Sequence, residues 1–384
     1  MTPKRLLYVL PCSFTFLYTF RGHFSFLRSQ GFEVEVACEQ DECAAEAAKR
    51  EGVVHQPIRI NRFPSPMQDI RALLSLVRLM KAGRYDIVTC DTKKGGLLTC
   101  WAARLAGVPF ALYIVRGLTS DKGGRARRLV FFNVERAICR GASRVLFMSE
   151  SNLKICQEKR ICAREKMVVF GGGSPNGIDT THFRRSEALQ RESVRFRERL
   201  GIPLAAFVFG YVGRLVREKG VPELADAWVA ISAKYPGAHL LLIAPPEVGP
   251  RLEGQMELLR KSPNVHFAGF MEDPVVGYAA MDCLVMPSLG EGLPLVILEA
   301  GAMELPVIAT RAPGCVDAMV HEKTGLLITP RDSVDLVTAM ERVLMAPDGG
   351  REWGRNGRRR CEELFAQELI WQGYADLYER VLAG

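Results

Sequence analysis

The feature that most constrains how this chain can fold is a rhythm. Short apolar runs recur along it, each bounded by turn formers and followed by a stretch with helical spacing. In the first half the runs occupy residues 6–10, 34–37, 87–90, 110–115 and 145–148, with helical stretches at 24–30, 67–80, 95–106 and 125–139. Runs that are apolar at every position are strands covered on both faces, and intervening helices make their sheet parallel. The rhythm breaks at Gly171-Gly172-Gly173-Ser174-Pro175-Asn176-Gly177, a cluster of turn formers followed by polar sequence to Leu200. It then restarts, with strands at 207–212, 239–243, 265–267, 283–286 and 307–310 and helices up to 233, near 252–259 and over 295–303. At 384 residues the chain is long for one core and suited to two. We therefore expect two doubly wound α/β domains, over 1–172 and 201–364, with a linker over 173–200. A last helix over 365–384 should pack back on the first domain. Ligands of such sheets bind beyond the carboxyl ends of the strands, so the two domains should face a central cleft.

Composition narrows the function classes. Hydrophobic content of 48% with 24% charged residues describes a soluble globular chain. Apolar runs such as 204–212 are far short of a membrane span. The N-terminal segment has a superficial likeness to a signal peptide, but its apolar stretch is short and no small-residue cleavage site follows, so a first buried strand explains it better. Eleven cysteines, with no Cys-x-x-Cys pair, indicate neither a zinc site nor a redox motif; the odd number favours a reducing, cytoplasmic compartment. The net charge of +8 is unevenly placed. Residues 1–170 hold 28 Lys and Arg against 15 Asp and Glu, a net +13, and the remainder holds 23 against 28, a net −5. The first half should thus face something anionic. Helix-turn-helix, zinc-finger and RNA-stacking signatures are missing, so an anionic membrane surface is the expected partner and nucleic acid is not.

Two segments carry chemistry. Ser288-Leu289-Gly290-Glu291-Gly292-Leu293-Pro294 follows an apolar run and leads into a helix that bears Glu299. Its glycines permit close backbone approach, Pro294 suits a first helical turn, and N–H groups at a helix start suit phosphate. Glu291 and Glu299 can each accept from polyol hydroxyls; the alternative is a capping Glu and a solvated helix Glu. The second segment, Gly213-Arg214-Leu215-Val216-Arg217-Glu218-Lys219-Gly220, also links a strand to a helix. Arg214 and Lys219 beside a helix start suit a diphosphate, or they are solvated charges on a turn. A diphosphate leaving group needs fixed positive charge where negative charge develops.

Together these segments resemble the retaining glycosyltransferases of family four, which have the GT-B fold of two Rossmann-like domains. The likeness extends to Gly269-Phe270-x-Glu272-Asp273-Pro274, Ala280-Met281-Asp282, Pro313-Gly314 and Thr324-Gly325-Leu326-Leu327, and in the first half to Asp69, Thr92–Leu98 and Asn176-Gly177-Ile178-Asp179. Arg116-Gly117-Leu118, the 171–177 cluster and Gly314-Cys315 resemble the subgroup that extends polyprenyl-diphosphate-linked saccharides from UDP-N-acetylhexosamines or related donors. The resemblance implies transfer of an N-acetylhexosamine or related hexose with retention, in capsule or O-antigen-type polysaccharide synthesis, peripheral at the inner face of the cell membrane. Arg214, Lys219 and Glu291 would be catalytic. Gly213, Arg214 and Lys219 would hold the diphosphate, and Glu291, Gly292, Leu293 and Pro294 would contact the sugar and phosphates. Glu299 would bind the ribose, with Phe270 and Glu272 against the base. No cofactor or metal is implied, and the sequence contains no Asp-x-Asp pair to hold one.

On the acceptor side the candidates are Phe16, Tyr18, Lys94 and Arg116. Many relatives carry His where Arg116 stands, so Arg116 either touches an acceptor phosphate or is a solvated loop residue. His23 reads as structural. The stretch 122–132 mixes cations with aromatic and aliphatic residues, as interfacial segments do, or as any helix with one buried face does. Rival readings are a soluble-acceptor transferase, a sugar-nucleotide epimerase of the same fold, and a catalytically silent nucleotide-sugar-binding protein. A dinucleotide-dependent oxidoreductase is disfavoured, because no Gly-x-Gly-x-x-Gly follows the first strand.

Overall fold

The computed structural model describes residues 4–61, 63–118, 125–262 and 264–383, with side chains at all of these except 125–128. The chain forms two units, one of residues 1–177 with 367–384 and the other of residues 178–366.

In the first unit seven parallel strands, β1 (Lys4–Val9), β2 (Phe32–Cys38), β3 (Val54–Pro57), β4 (Ile87–Asp91), β5 (Phe110–Val115), β6 (Arg144–Phe147) and β7 (Met167–Val168), lie in the order β3-β2-β1-β4-β5-β6-β7. The connecting helices are α1 (His23–Ser29), α2 (Glu42–Glu51), α3 (Pro66–Gly83), α4 (Lys93–Ala106), α5 (Arg125–Gly141) and α6 (Glu150–Glu158). β5 is buried at all six positions, which is why it reads as an unbroken apolar run. The core on one face joins β4 and β5 residues such as Val88 and Tyr113 to Leu76 of α3, Cys100 of α4 and Ile138 of α5.

The second unit opens with α7 (Glu187–Arg199). Its six parallel strands are β8 (Phe207–Val212), β9 (Ala238–Ile243), β10 (Val265–Gly269), β11 (Cys283–Met286), β12 (Val307–Thr310) and β13 (Gly325–Ile328), in the order β10-β9-β8-β11-β12-β13. Its other helices are α8 (Val221–Lys234), α9 (Glu253–Lys261), α10 (Val275–Ala279), α11 (Leu295–Ala302), α12 (Cys315–Ala318), α13 (Ser333–Met345) and α14 (Arg351–Leu364). Residues 178–200, expected to be linker, instead belong to this unit. Arg197 of α7 pairs with Asp282 at 2.9 Å and donates to the Ala280 carbonyl at 3.0 Å. Those bonds supply what the thin apolar face of α7 does not.

The last helix, α15 (Gln367–Leu382), is part of the first unit. Its Tyr378 hydroxyl lies 2.7 Å from both the Tyr8 hydroxyl and Thr89 Oγ1, and Trp371 Nε1 donates to Asn176 at 2.6 Å. His23 is sealed into the same cluster, 2.8 Å from Tyr8, and burial pushes its imidazole down to about 3. It is a neutral packing residue.

Candidate active site

In each sheet the strand order reverses once, between β1 and β4 and between β8 and β11. At such a point the connections leave in opposite directions and a crevice opens beyond the strand ends. β8 and β11 pair only through Phe209 with Cys283 and Gly210 with Leu284, then separate. The two segments singled out in the sequence are the loops that leave these two strands.

The loops are joined by specific bonds. Gly220, at φ +73°, is placed where a Cβ would lie 2.0 Å from the Pro287 carbonyl oxygen, so only glycine permits this approach. Leu289 N–H donates to the Glu218 carbonyl at 2.9 Å. The buried Ser288 hydroxyl sits 3.1 Å from that same carbonyl and 2.5 Å from Glu291 Oε1. Lys219 Nζ donates to Glu291 Oε1 at 2.7 Å. A third loop closes on them, since Glu291 N–H donates to the Pro313 carbonyl at 3.0 Å and Gly314, at φ +81°, passes against the Glu291 backbone. Lys219 and Glu291 are each about four-fifths buried, so their pairing is stronger than that of a solvated pair. Arg214 lies on the same loop, exposed, its carbonyl held by the Tyr211 hydroxyl at 2.7 Å. Among the described residues no carboxylate lies within ion-pair distance of its guanidinium.

Glu299 projects from α11 and accepts from the buried Tyr278 hydroxyl of α10 at 2.6 Å. Burial raises its carboxyl to about 7, the nearby Asp273 adding to the rise while the Tyr278 hydrogen bond opposes it. Phe270 and Glu272, on the loop between β10 and α10, are both exposed. The same loop carries Asp273, which pairs with His182 at 3.0 Å.

The corresponding loops of the first unit differ. After β1 the chain makes a turn of π-helix over Thr15–Thr19 that turns Phe16 fully into the core, where its ring meets Phe24 at 5.4 Å. Tyr18 is half-buried with its ring 4.3 Å from that of Phe14. Lys94, at the start of α4, pairs with Asp69 at 2.5 Å and donates to the Phe63 carbonyl at 2.6 Å. Arg116, after β5, pairs with the buried Asp91 at 2.6 Å and lies over the Phe20 ring.

Comparison with known proteins follows this architecture. The profile described as "Glycosyl transferases group 1" matches residues 206–346, and the profile "Glycosyl transferase 4-like domain" matches residues 24–173. The chain is 28% identical to the capsular polysaccharide biosynthesis glycosyltransferase CapM of Staphylococcus aureus, covering 94% of this chain and 93% of that one. It is 29% identical to the UDP-Gal:alpha-D-GlcNAc-diphosphoundecaprenol alpha-1,3-galactosyltransferase of Escherichia coli, covering 73% and 71%. The crystal structure of Anabaena HepE superposes with a TM-score of 0.81 at 20% identity, covering 98% of this chain and 100% of that one. The chain is a GT-B glycosyltransferase of the family-four type. In this glycosyltransferase Lys219, Glu291, Gly292, Leu293 and Pro294 gather around the β8–β11 crossover, with Gly213 and Arg214 on the same loop as Lys219.

Of the acceptor-side residues, Phe16 is corrected. A ring with no exposed surface cannot touch an acceptor, and the Phe14–Tyr18 pair is what that turn offers outward. Four residues escaped the sequence reading: Asp91, Asp69, Ser288 and Tyr278. Asp91 left a signal, a carboxylate ending an otherwise apolar strand. Tyr278 left none, because its contact with Glu299 joins two helices 21 residues apart. Residues 119–124, within the stretch read as interfacial, lie outside the described residues.

Proposed function

We propose that this glycosyltransferase moves a sugar, an N-acetylhexosamine or related hexose, from a UDP-sugar to a polyprenyl-diphosphate-linked saccharide, with retention and without a metal ion. The observation that carries the reading is the Lys219–Glu291 pair at the crossover of the second sheet. Its two charges are complementary to the two parts of such a donor. On donor entry Lys219 exchanges its carboxylate for diphosphate oxygens, Arg214 adds a second cation, and Glu291 is released to accept from sugar hydroxyls. Glu299, as the carboxylate, accepts from the ribose hydroxyls. An acceptor hydroxyl oxygen then bonds to the anomeric carbon as the bond to UDP breaks. UDP leaves with the electron pair, and the hydroxyl proton passes to a diphosphate oxygen on the same face. Fixed positive charge stabilises the developing diphosphate, the task a metal performs elsewhere.

The relatives support the choice of substrates. The E. coli protein is named for a UDP-sugar donor and a diphosphoundecaprenol acceptor, and a Campylobacter jejuni relative, 24% identical, is named as a diphospho-undecaprenol N-acetylgalactosaminyltransferase. HepE was crystallised with UDP and with UDP-glucose. The strong positive charge of the first 170 residues supports an anionic membrane surface as partner, at the cytoplasmic face.

The test is a panel of UDP-, GDP- and ADP-sugars offered with lipid-linked and free saccharides in the presence of a chelator. Product mass identifies the sugar, and the anomeric coupling constant reads the stereochemistry. Transfer only to free saccharides, an inverted product, or activity lost in chelator and restored by a divalent ion would each overturn the corresponding part.

A further inference from the structure

We propose that the outward face of α3, with Phe63 just before it and the adjoining row of α4, docks this enzyme on an anionic lipid bilayer. α3 buries Ala72, Leu76 and Met80. The opposite row, at helical spacing, begins with Met67, Ile70 and Leu74, which are 70, 58 and 47% exposed, and Phe63 ahead of them is 76% exposed. The same row continues through the exposed cations Arg71, Arg78 and Lys81. The helix spans about 27 Å at 1.5 Å per residue. It therefore presents aliphatic bulk near its start and positive charge toward its end.

Two further observations define the partner. The single carboxylate of α3, Asp69, is turned away to Lys94 and to the Ser65 N–H, so its negative charge is withdrawn from that face. The same Lys94 holds the Phe63 carbonyl, which fixes this exposed aromatic beside the first turn of α3. α4, packed alongside α3, exposes Trp101, Arg104 and Leu105, again a mixture of apolar bulk and cation. Over α3, α4 and α5 the sequence carries eleven Lys and Arg against two acidic residues, Asp69 and Glu135, and Glu135 is buried beside Lys93. A nucleic acid would match the cations but not a row of aliphatic side chains. A protein partner, or a second copy of this chain with the same excess of cations, would leave them unneutralised. A bilayer accepts both, with Phe63, Met67, Ile70 and Leu74 at the acyl boundary and the cations at headgroup phosphates.

The inference rests on the reading that the acceptor is lipid-linked, and its test separates the two. The full chain is sedimented with sucrose-loaded vesicles of phosphatidylcholine, alone or with roughly one-third phosphatidylglycerol. The parent should sediment with the mixed vesicles and remain in solution with the neutral ones. The variant Met67→Ser/Ile70→Ser/Leu74→Ser should lose about tenfold or more in partitioning. Arg71→Glu/Arg78→Glu/Lys81→Glu should lose about a hundredfold, from about fivefold per charge. Both variants should keep the parent's urea midpoint and its rate on a detergent-dispersed acceptor. Equal sedimentation of parent and variants overturns the proposal. So does a parent that ignores mixed vesicles but binds duplex DNA or dimerises through these side chains. An enzyme that sediments yet transfers only to free saccharides refutes the acceptor reading and leaves the docking surface standing. One that transfers to dispersed lipid-linked acceptors but does not sediment refutes the docking surface alone.

Discussion

The same sheet crossover occurs in both units, and the two are furnished in opposite ways. In the second unit the crossover loops bring together Lys219 and Glu291, a cation and a carboxylate that a nucleotide sugar can separate and use individually. In the first unit the loop after β1 sends Phe16 inward, and the cations nearby are engaged by carboxylates of the same unit, Lys94 by Asp69 and Arg116 by Asp91. Asp91 is sealed, so the Arg116 charge is partly satisfied by the fold itself. One topology thus supports a site of exchangeable charges and a site of anchored ones. The difference lies entirely in the loops, which is how a single fold accommodates many substrates.

That contrast can be broken at several points. Phe16→Ala should cost about 3–5 kcal/mol of stability in urea unfolding, as expected for a fully buried ring, whereas Tyr18→Ala should cost less than about 1 kcal/mol and raise the acceptor KM. Equal losses at the two positions would make the turn uniformly structural. Lys219→Ala should lower kcat by about a hundred- to a thousandfold with little change in unfolding midpoint, because one preorganised cation at the leaving group is removed. Full activity would remove the basis for calling this charge exchangeable. Asp91→Asn should destabilise the protein by about 1–3 kcal/mol, less than a fully buried pair because Arg116 retains some solvent. UDP affinity measured by calorimetry should be unchanged in that variant; a weakened affinity would mean that the anchored pair serves the donor.

The smallest expected effect concerns pH. Glu299 is raised from 4.5 to about 7, so the folded protein keeps it protonated where the unfolded chain is ionised. Its contribution to stability therefore falls as pH rises from 4.5 to 7 and is constant above that. Ribose recognition needs the carboxylate, so UDP affinity should tighten as pH rises toward 7, by at most about tenfold per pH unit, and level off above it. Glu299→Gln should flatten that dependence; an unchanged profile would place the ribose elsewhere.

Much of the architecture was legible because buried parallel strands must be apolar throughout. Residues 110–115, 207–212, 283–286 and 307–310 match β5, β8, β11 and β12 at both ends. The strands that escaped notice were those without such a run. β3 is an edge strand that includes His55 and Gln56, β7 has two residues, and β13 opens with a glycine. α7 was hidden for another reason: it is fixed by Arg197, and the partners of an ion pair leave no periodic trace. In the site, loop glycines and charges were visible as local pattern, whereas Ser288, Tyr278 and Asp91 act through contacts between elements. The outward row of α3 was likewise present in the sequence at 67–80, but which of its faces is covered is settled only by the packing of α4.

The return of α15 has a consequence for the order of events during synthesis. Tyr8 lies near the start of the chain, and its hydroxyl partner Tyr378 lies near the end. While the ribosome is still translating the second unit, the first holds a gap where Tyr374 and Tyr378 will fit, and its buried Tyr8 lacks one of its two hydroxyl neighbours. The second unit, contiguous from 178 to 366, has no such debt and closes as soon as it emerges. The half made first is therefore finished last, and a nascent chain stalled before residue 367 would present a mature second unit beside an incomplete first one.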